Sequence, residues 1–336
     1  MSEQRKKKSE SVGQTIGGML VGFDQQIFRS TPPVNEMVAK GDRLAPVAAS
    51  GGGTMRVGLP GDPAAPDAAP GAIDPEIEVL RLSAPGVEAL VDLVAGGRIA
   101  SLVVDGRELL RTSRDGPRDW GSFPMAPYAG RIRDAEFTFG GEVRRLAATM
   151  PPHAIHGTVL DRRWHAIDGT TIAIDLGPDW PFAGTVFQRF ELTEDRLTCR
   201  IELHVDEPMP ASIGWHPWFV KPERVDLRFD RMYLRDEDYI TDGRTVSPPP
   251  APPWDDCFAG PLATPRLWIG DAEVSLASDC DYWVVFDMPA HATCVEPQTA
   301  TPDAFNLAGN LGGAARLEPG DELRRTMTIA WKQVPT

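Results

Sequence analysis

The sequence predicts an all-β fold, a large antiparallel β-sandwich, and three observations predict it. Short apolar stretches alternate in and out and are separated by turn dipeptides at near-regular intervals. Helical periodicity is nearly absent. No period of 20–50 residues recurs, which argues against a propeller. The 336 residues leave roughly 260 beyond a distinct N-terminal stretch, which suits one large sandwich better than two small domains.

Residues 1–72 differ in composition from the rest. They open on Arg5-Lys6-Lys7-Lys8, pass through a glycine-broken apolar patch at 16–23, and continue into a Pro/Ala/Gly/Asp run at 59–71. Such composition buries too little apolar surface to offset its ordering entropy. The expectation is a flexible, disordered tail and linker over 1–72, dispensable for folding, and a folded domain over 73–336. Residues 14–28 alternatively form a short amphipathic helix.

Strands follow in order. Residues 99–104 meet Asp105-Gly106 and return over 107–110, a two-residue hairpin. The 135–139 segment alternates strictly, turns at Gly140-Gly141 and returns over 142–146. Residues 164–167 and 171–176 repeat the device around Asp168-Gly169. Two long strands, 184–193 and 196–205, join at Glu194-Asp195. Further strands are expected at 225–229, 266–269, 273–276, 283–286, 293–296 and 325–331, and one or two helical turns at 302–307.

The formal charge of −14 argues against nucleic acid and anionic membranes as partners. No apolar run approaches a membrane span. Cys199, Cys257, Cys280 and Cys294 have no C-x-x-C spacing and read as reduced thiols of a cytoplasmic protein. A neutral polyol is the compatible small-molecule partner, with the chain a monomer or dimer.

Five stretches carry possible chemistry. Gly214-Trp215-His216-Pro217-Trp218-Phe219 sets an imidazole between indoles at a strand end, the aromatic Trp218 fitting the apolar face of a sugar; the plainer reading is a core histidine. Pro127-Tyr128-Ala129-Gly130-Arg131-Ile132 places an arginine where a loop meets a strand. His153-Ala154-Ile155-His156-Gly157 puts a histidine before a glycine, where a ligand can approach the backbone. Its H-x-x-H spacing, with His216, admits a three-histidine zinc site, but an extended chain sends the two to opposite faces, so no metal is expected. Trp254-Asp255-Asp256-Cys257 offers two carboxylates, one of which a strand would point inward. Cys294-Val295-Glu296-Pro297-Gln298 ends an apolar strand on a glutamate, partly desolvated and so raised toward the range of a general base.

Taken in this order, Pro-Tyr-Ala-Gly-Arg-Ile, His-Gly, Gly-Trp-His-Pro-Trp-Phe, Asp-Asp-Cys-Phe and Glu-Pro-Gln-Thr resemble the aldose 1-epimerases, the galactose mutarotase group, over residues 77–332. The resemblance implies the galactose mutarotase-like supersandwich, a sugar cleft, and neither metal nor organic cofactor. It implies Glu296 as general base, His216 as general acid on the opposite side of the ring, and His156 near the ring oxygen. Arg131 becomes the substrate arginine and Asp255 the hydroxyl-binding aspartate, with Asp256 competing for that role; Tyr128 and Trp218 join the sugar-binding set. Ala126 stands where the family usually has Asn, and Thr158 where it often has Gly or Phe, which bears on substrate range. Two rival functions stay open. One is a hexose-phosphate 1-epimerase, for which Arg162 and Arg163 are the candidate phosphate ligands. The other is a non-catalytic carbohydrate-binding domain.

Overall fold

The computed structural model describes residues 52–56, 78–310 and 312–334, the first as backbone. Among the described residues the fold is almost entirely antiparallel strand, with two short 3-10 turns at Arg133–Ala135 and Ala308–Asn310 and no α-helix. No helix among them is long and apolar enough to cross a membrane. The expected helical turns at 302–307 are consecutive hydrogen-bonded turns, such as Asn306 N–H to Asp303 O. Of the stretch read as tail, Gly52–Arg56 pairs with Glu78–Ala84 at a sheet edge; the remainder, including the possible helix at 14–28, lies outside the described residues.

Two large sheets dominate. One has twelve strands in the described residues. Its centre runs, in spatial order, Ser122–Met125, Gly214–Val220, Ala292–Gln298, Tyr282–Phe286, Asp255–Pro261, Phe229–Arg235 and Thr241–Val246. The other has eight, centred on Gly184–Leu192, Arg196–Val205, Glu322–Gln333 and Ala272–Ser278. Alternation decides what lies between them. Leu197, Cys199, Ile201 and Leu203 of the eight-stranded sheet, and Trp215, Phe219, Phe258, Trp283, Val285 and Val295 of the other, share one buried apolar cluster. Trp215 Nε1 donates to Gln188 Oε1 across the layer at 3.3 Å. The sheets thus pack as a sandwich, as the alternation predicted.

Strands at Glu78–Ala84, Val87–Asp92 and Ser122–Met125 are present beyond those expected from the sequence, and three strands near the hollow differ from expectation. Phe229–Arg235, Thr241–Val246 and Asp255–Pro261 are full strands of the twelve-stranded sheet, whereas 225–229 divides between the short strand Arg224–Asp226 and the start of the next. The 292–298 strand also runs on through Pro297 to Gln298 instead of stopping at the proline. All four cysteines are buried free thiols.

Candidate active site

The face of the twelve-stranded sheet opposite the sandwich core forms the floor of a hollow of about 280 Å³. Register explains which side chains reach it. Gly214 pairs with Gln298 and Trp218 with Cys294, which puts His216 across from Glu296. Glu296 pairs onward with Val284, and Val284 with Cys257. Side chains two residues apart share a face, so His216, Trp218, Cys294, Glu296, Gln298, Asp255 and Cys257 all point away from the sandwich core. His216 lies within its strand, third of seven residues, not at its end.

Between Gly214↔Gln298 and Trp218↔Cys294 the two strands make no bridge. That stretch contains Pro217 and Pro297, neither of which has an amide hydrogen to donate. The ladder is therefore interrupted at the point where His216 faces Glu296.

His216 Nε2 lies 3.2 Å from Glu296 Oε1, both side chains buried. Burial, then the neighbouring Asp255 charge, raises the Glu296 carboxyl well above the usual range against the pull of Arg131. Burial lowers His216 to about 3. Both shifts favour an uncharged pair, so this contact is a carboxyl and an imidazole sharing one proton in preference to a fixed ion pair. The imidazole is held in place by aromatic rings. Its plane stacks on Trp218 at 5.3 Å and 7°, and Phe123 lies 4.7 Å away on the adjacent strand.

His156 meets His216 edge-on at 5.0 Å between ring centroids. Burial, and then the His216 and Arg131 charges, hold it well below the ordinary histidine range. Its backbone is left-handed, φ +62°, followed by Gly157 at +83°. That turn is fixed by His156 N–H donating to Gly130 O at 2.9 Å. Gly157 is required for packing: a Cβ there would lie 2.0 Å from the Ala126 carbonyl oxygen. The glycine therefore serves the protein's own backbone, not the approach of a ligand as the sequence suggested.

Arg131 and Asp255 complete the hollow's wall. Arg131 stacks over Tyr239 at 4.9 Å and reaches only the Met150 sulfur, at 3.5 Å, leaving most of its donors open. Asp255 faces Glu296, and burial raises its carboxyl. Asp256 is held at the rim by Arg235, Nε to Oδ1 2.7 Å. Both aspartates line the hollow, and Asp256 is the one tied to an arginine.

Several sequence expectations are corrected. Tyr128 is a core residue, 2% exposed and packed at 5.8 Å on Trp180, so it does not line the hollow. His153, in contrast, turns away as its extended spacing implied, its Nδ1 accepting the Asp134 amide at 3.0 Å and its Nε2 3.6 Å from Asp238, so the H-x-x-H pair does not converge. Arg162 donates to the carbonyls of Asp175 and Leu176, and Arg163 pairs with Glu78 at 2.8 Å, so neither reaches the hollow. The imidazole and carboxylate touch; they do not face each other across a ring.

Two arginines went unnoticed in the sequence. Arg118 lines the hollow with no ion pair among the described residues. Arg98, buried, donates to the carbonyls of Ala95, Pro117, Trp120 and Leu160. It ties the loop bearing Arg118 to the segment after His156, and burial lowers it to about 10.

The model of the aldose 1-epimerase family matches residues 78–330. An aldose 1-epimerase of Escherichia coli K12 is 26% identical over 126 residues, 34% of this chain; the chain spans about a third, 36%, of that relative. A galactose mutarotase-like protein from Clostridium acetobutylicum superposes with a TM-score of 0.67 at 18% identity, covering 77% of this chain and 96% of that one. A galactose 1-epimerase from Lactobacillus acidophilus gives 0.64 at 15%, covering 84% and 99%. At those identities the structures establish a shared fold.

Proposed function

The chain belongs to the aldose 1-epimerase family, and from that membership and the hollow's geometry we propose that it interconverts the α and β anomers of a free aldohexose. The observation that carries the reading is the buried His216–Glu296 contact at 3.2 Å, open on one side to the hollow.

Ring opening needs a proton taken from the anomeric hydroxyl and one given to the ring oxygen. Both oxygens are bonded to the same carbon, so two touching groups beneath that carbon can serve both. Glu296 as carboxylate takes the hydroxyl proton while His216 as imidazolium protonates the ring oxygen. The bond from the anomeric carbon to the ring oxygen breaks and an aldehyde forms. Rotation about its bond to the next carbon, then reclosure with the roles reversed, gives the other anomer.

The pair carries one proton before and after. Opening moves it, by way of the sugar, from the charged arrangement to the uncharged one that burial favours. Arg131 supports the charged arrangement by lying near Glu296 and Asp255. Neutral His156 steadies the ring oxygen, Asp255 and Gln298 accept hydrogen bonds from sugar hydroxyls, and Trp218 backs the apolar face. The buried Gln298 Oε1 and Trp218 Nε1 have no protein partner, which suits groups completed by a sugar.

Polarimetry on freshly dissolved α-glucose and α-galactose tests this. Added protein should speed the approach to the equilibrium rotation, and Glu296→Gln should lose about 10²–10⁴-fold. An unchanged rate in that variant refutes the assignment, and sugar binding with no acceleration by the wild type leaves a binding domain. A hexose phosphate is the second reading, favoured by Arg118 and Arg131 together in the hollow. It requires Arg118→Ala to raise KM for the phosphorylated sugar and leave the free sugar unaffected.

A further inference from the structure

We propose that the hollow also takes one divalent cation of the zinc class on His216, Cys294 and Glu296, and that the ion blocks sugar chemistry while bound. Binding stands apart from the epimerase reading; only the blocking rests on it.

The three residues offer a ring nitrogen, a sulfur and a carboxylate oxygen within 4.8 Å of one another, all buried. Two ligands of a tetrahedral zinc, at bond lengths of about 2.0–2.3 Å, stand roughly 3.3–3.6 Å apart. The His216–Glu296 edge is already 3.2 Å, so the sulfur alone needs to close, from within 4.8 Å and so by roughly 1.2–1.5 Å at most. Cys294 and Glu296 lie two apart on one strand and project to one face. His216 is oriented by Trp218 and Phe123 before any ion arrives.

The mixed nitrogen, sulfur and oxygen set suits a borderline ion such as zinc and disfavours calcium or magnesium, which want oxygen alone. Three protein ligands leave the fourth position facing the hollow. Asp255 adds a second carboxylate whose charge reaches both Glu296 and Cys294. Binding releases the proton shared by His216 and Glu296 and the Cys294 thiol proton. An ion there occupies the nitrogen and oxygen that would otherwise move protons to and from the sugar.

Cobalt(II) titrated into chelator-treated full-length protein reads the site directly. One equivalent should give four-coordinate visible bands and a near-ultraviolet thiolate-to-cobalt band. Cys294→Ser and Cys294→Ala should lose the thiolate band and weaken Zn²⁺ competition by at least about tenfold. His216→Gln, which keeps every thiol, should weaken cobalt binding as well. A second cluster, Glu202, His204 and Glu322, supplies the control: His204→Gln should change neither readout. In polarimetry Zn²⁺ should slow the wild type and a chelator restore it, each variant being scored against its own metal-free rate. No thiolate band in the wild type overturns the proposal. So does a band that survives both Cys294 variants, or binding that disappears with His204→Gln instead.

Discussion

Among the described residues, two histidine–glutamate clusters lie in different surroundings, one on each large sheet. On the eight-stranded sheet His204 Nε2 lies 3.7 Å from Glu202 Oε2, with Arg189 at 3.3 Å from the same oxygen. The nearby His204, with help from Arg189, draws the Glu202 carboxyl below its ordinary range. On the other sheet His216 and Glu296 are slightly closer, yet the Glu296 carboxyl moves up. Residue types do not explain the opposite signs. The first cluster is partly open to solvent, His204 being about a third exposed, so charge is tolerated. The second is sealed on the core side and opens only to a hollow. Reactivity here is a property of burial, not of the pair itself.

Four experiments break or sharpen that contrast. The largest effect is expected from His216→Gln, with an anomerisation rate lower by about 10²–10⁴-fold in polarimetry. His204→Gln should leave it unchanged, and equal losses would erase the distinction.

Next come the two neighbouring arginines. Arg131→Ala removes charged donors from the hollow and should lower kcat/KM by about 10–100-fold, mainly through KM. Arg189→Ala should have no kinetic effect.

The third experiment follows melting temperature against pH. His216 is depressed in the folded chain, so its contribution is present above 6.5 and lost as pH falls toward about 3. Glu202 is also depressed; its contribution is present above 4.5 and lost as pH falls through its folded value. Glu296 is raised, so its contribution is present below 4.5 and disappears as pH rises through its folded value. His216→Gln should therefore flatten part of the acid slope and Glu296→Gln the alkaline one. Coincident profiles would contradict the assigned shifts.

The smallest effect is expected from Glu202→Gln at neutral pH, a loss of about 1 kcal/mol or less in denaturant unfolding. A larger loss would show that the open cluster is structurally critical after all.

Much of this was legible in the chain. The 196–205 strand was bounded correctly because its alternation is clean and its turn short. His216 and Glu296 stood out because proline and tryptophan flank them in otherwise apolar strands. The strands at 229–235 and 241–246 escaped because charged and glycine residues on their outer positions break the two-residue period. Tyr128 was misread because it neighbours Arg131 in sequence, although its ring packs into the core on Trp180. Arg98 opens an apolar strand after Gly96-Gly97 and Arg118 lies in a charge-rich loop; in neither place does the local sequence distinguish a buried guanidinium from a solvated one.

The break in pairing around Pro217 and Pro297 has one more consequence. Elsewhere in a sheet, a gap between neighbours is a truce that any fluctuation can end, because donors and acceptors wait on both rims. Here the missing donors were removed by covalent ring closure, so the seam cannot zip shut at any temperature or in any solvent. Neighbouring strands lock residue spacing through their backbones; across this slot the pairs on either side set the register, and rings and side chains set what is left of the distance between an acid and its base.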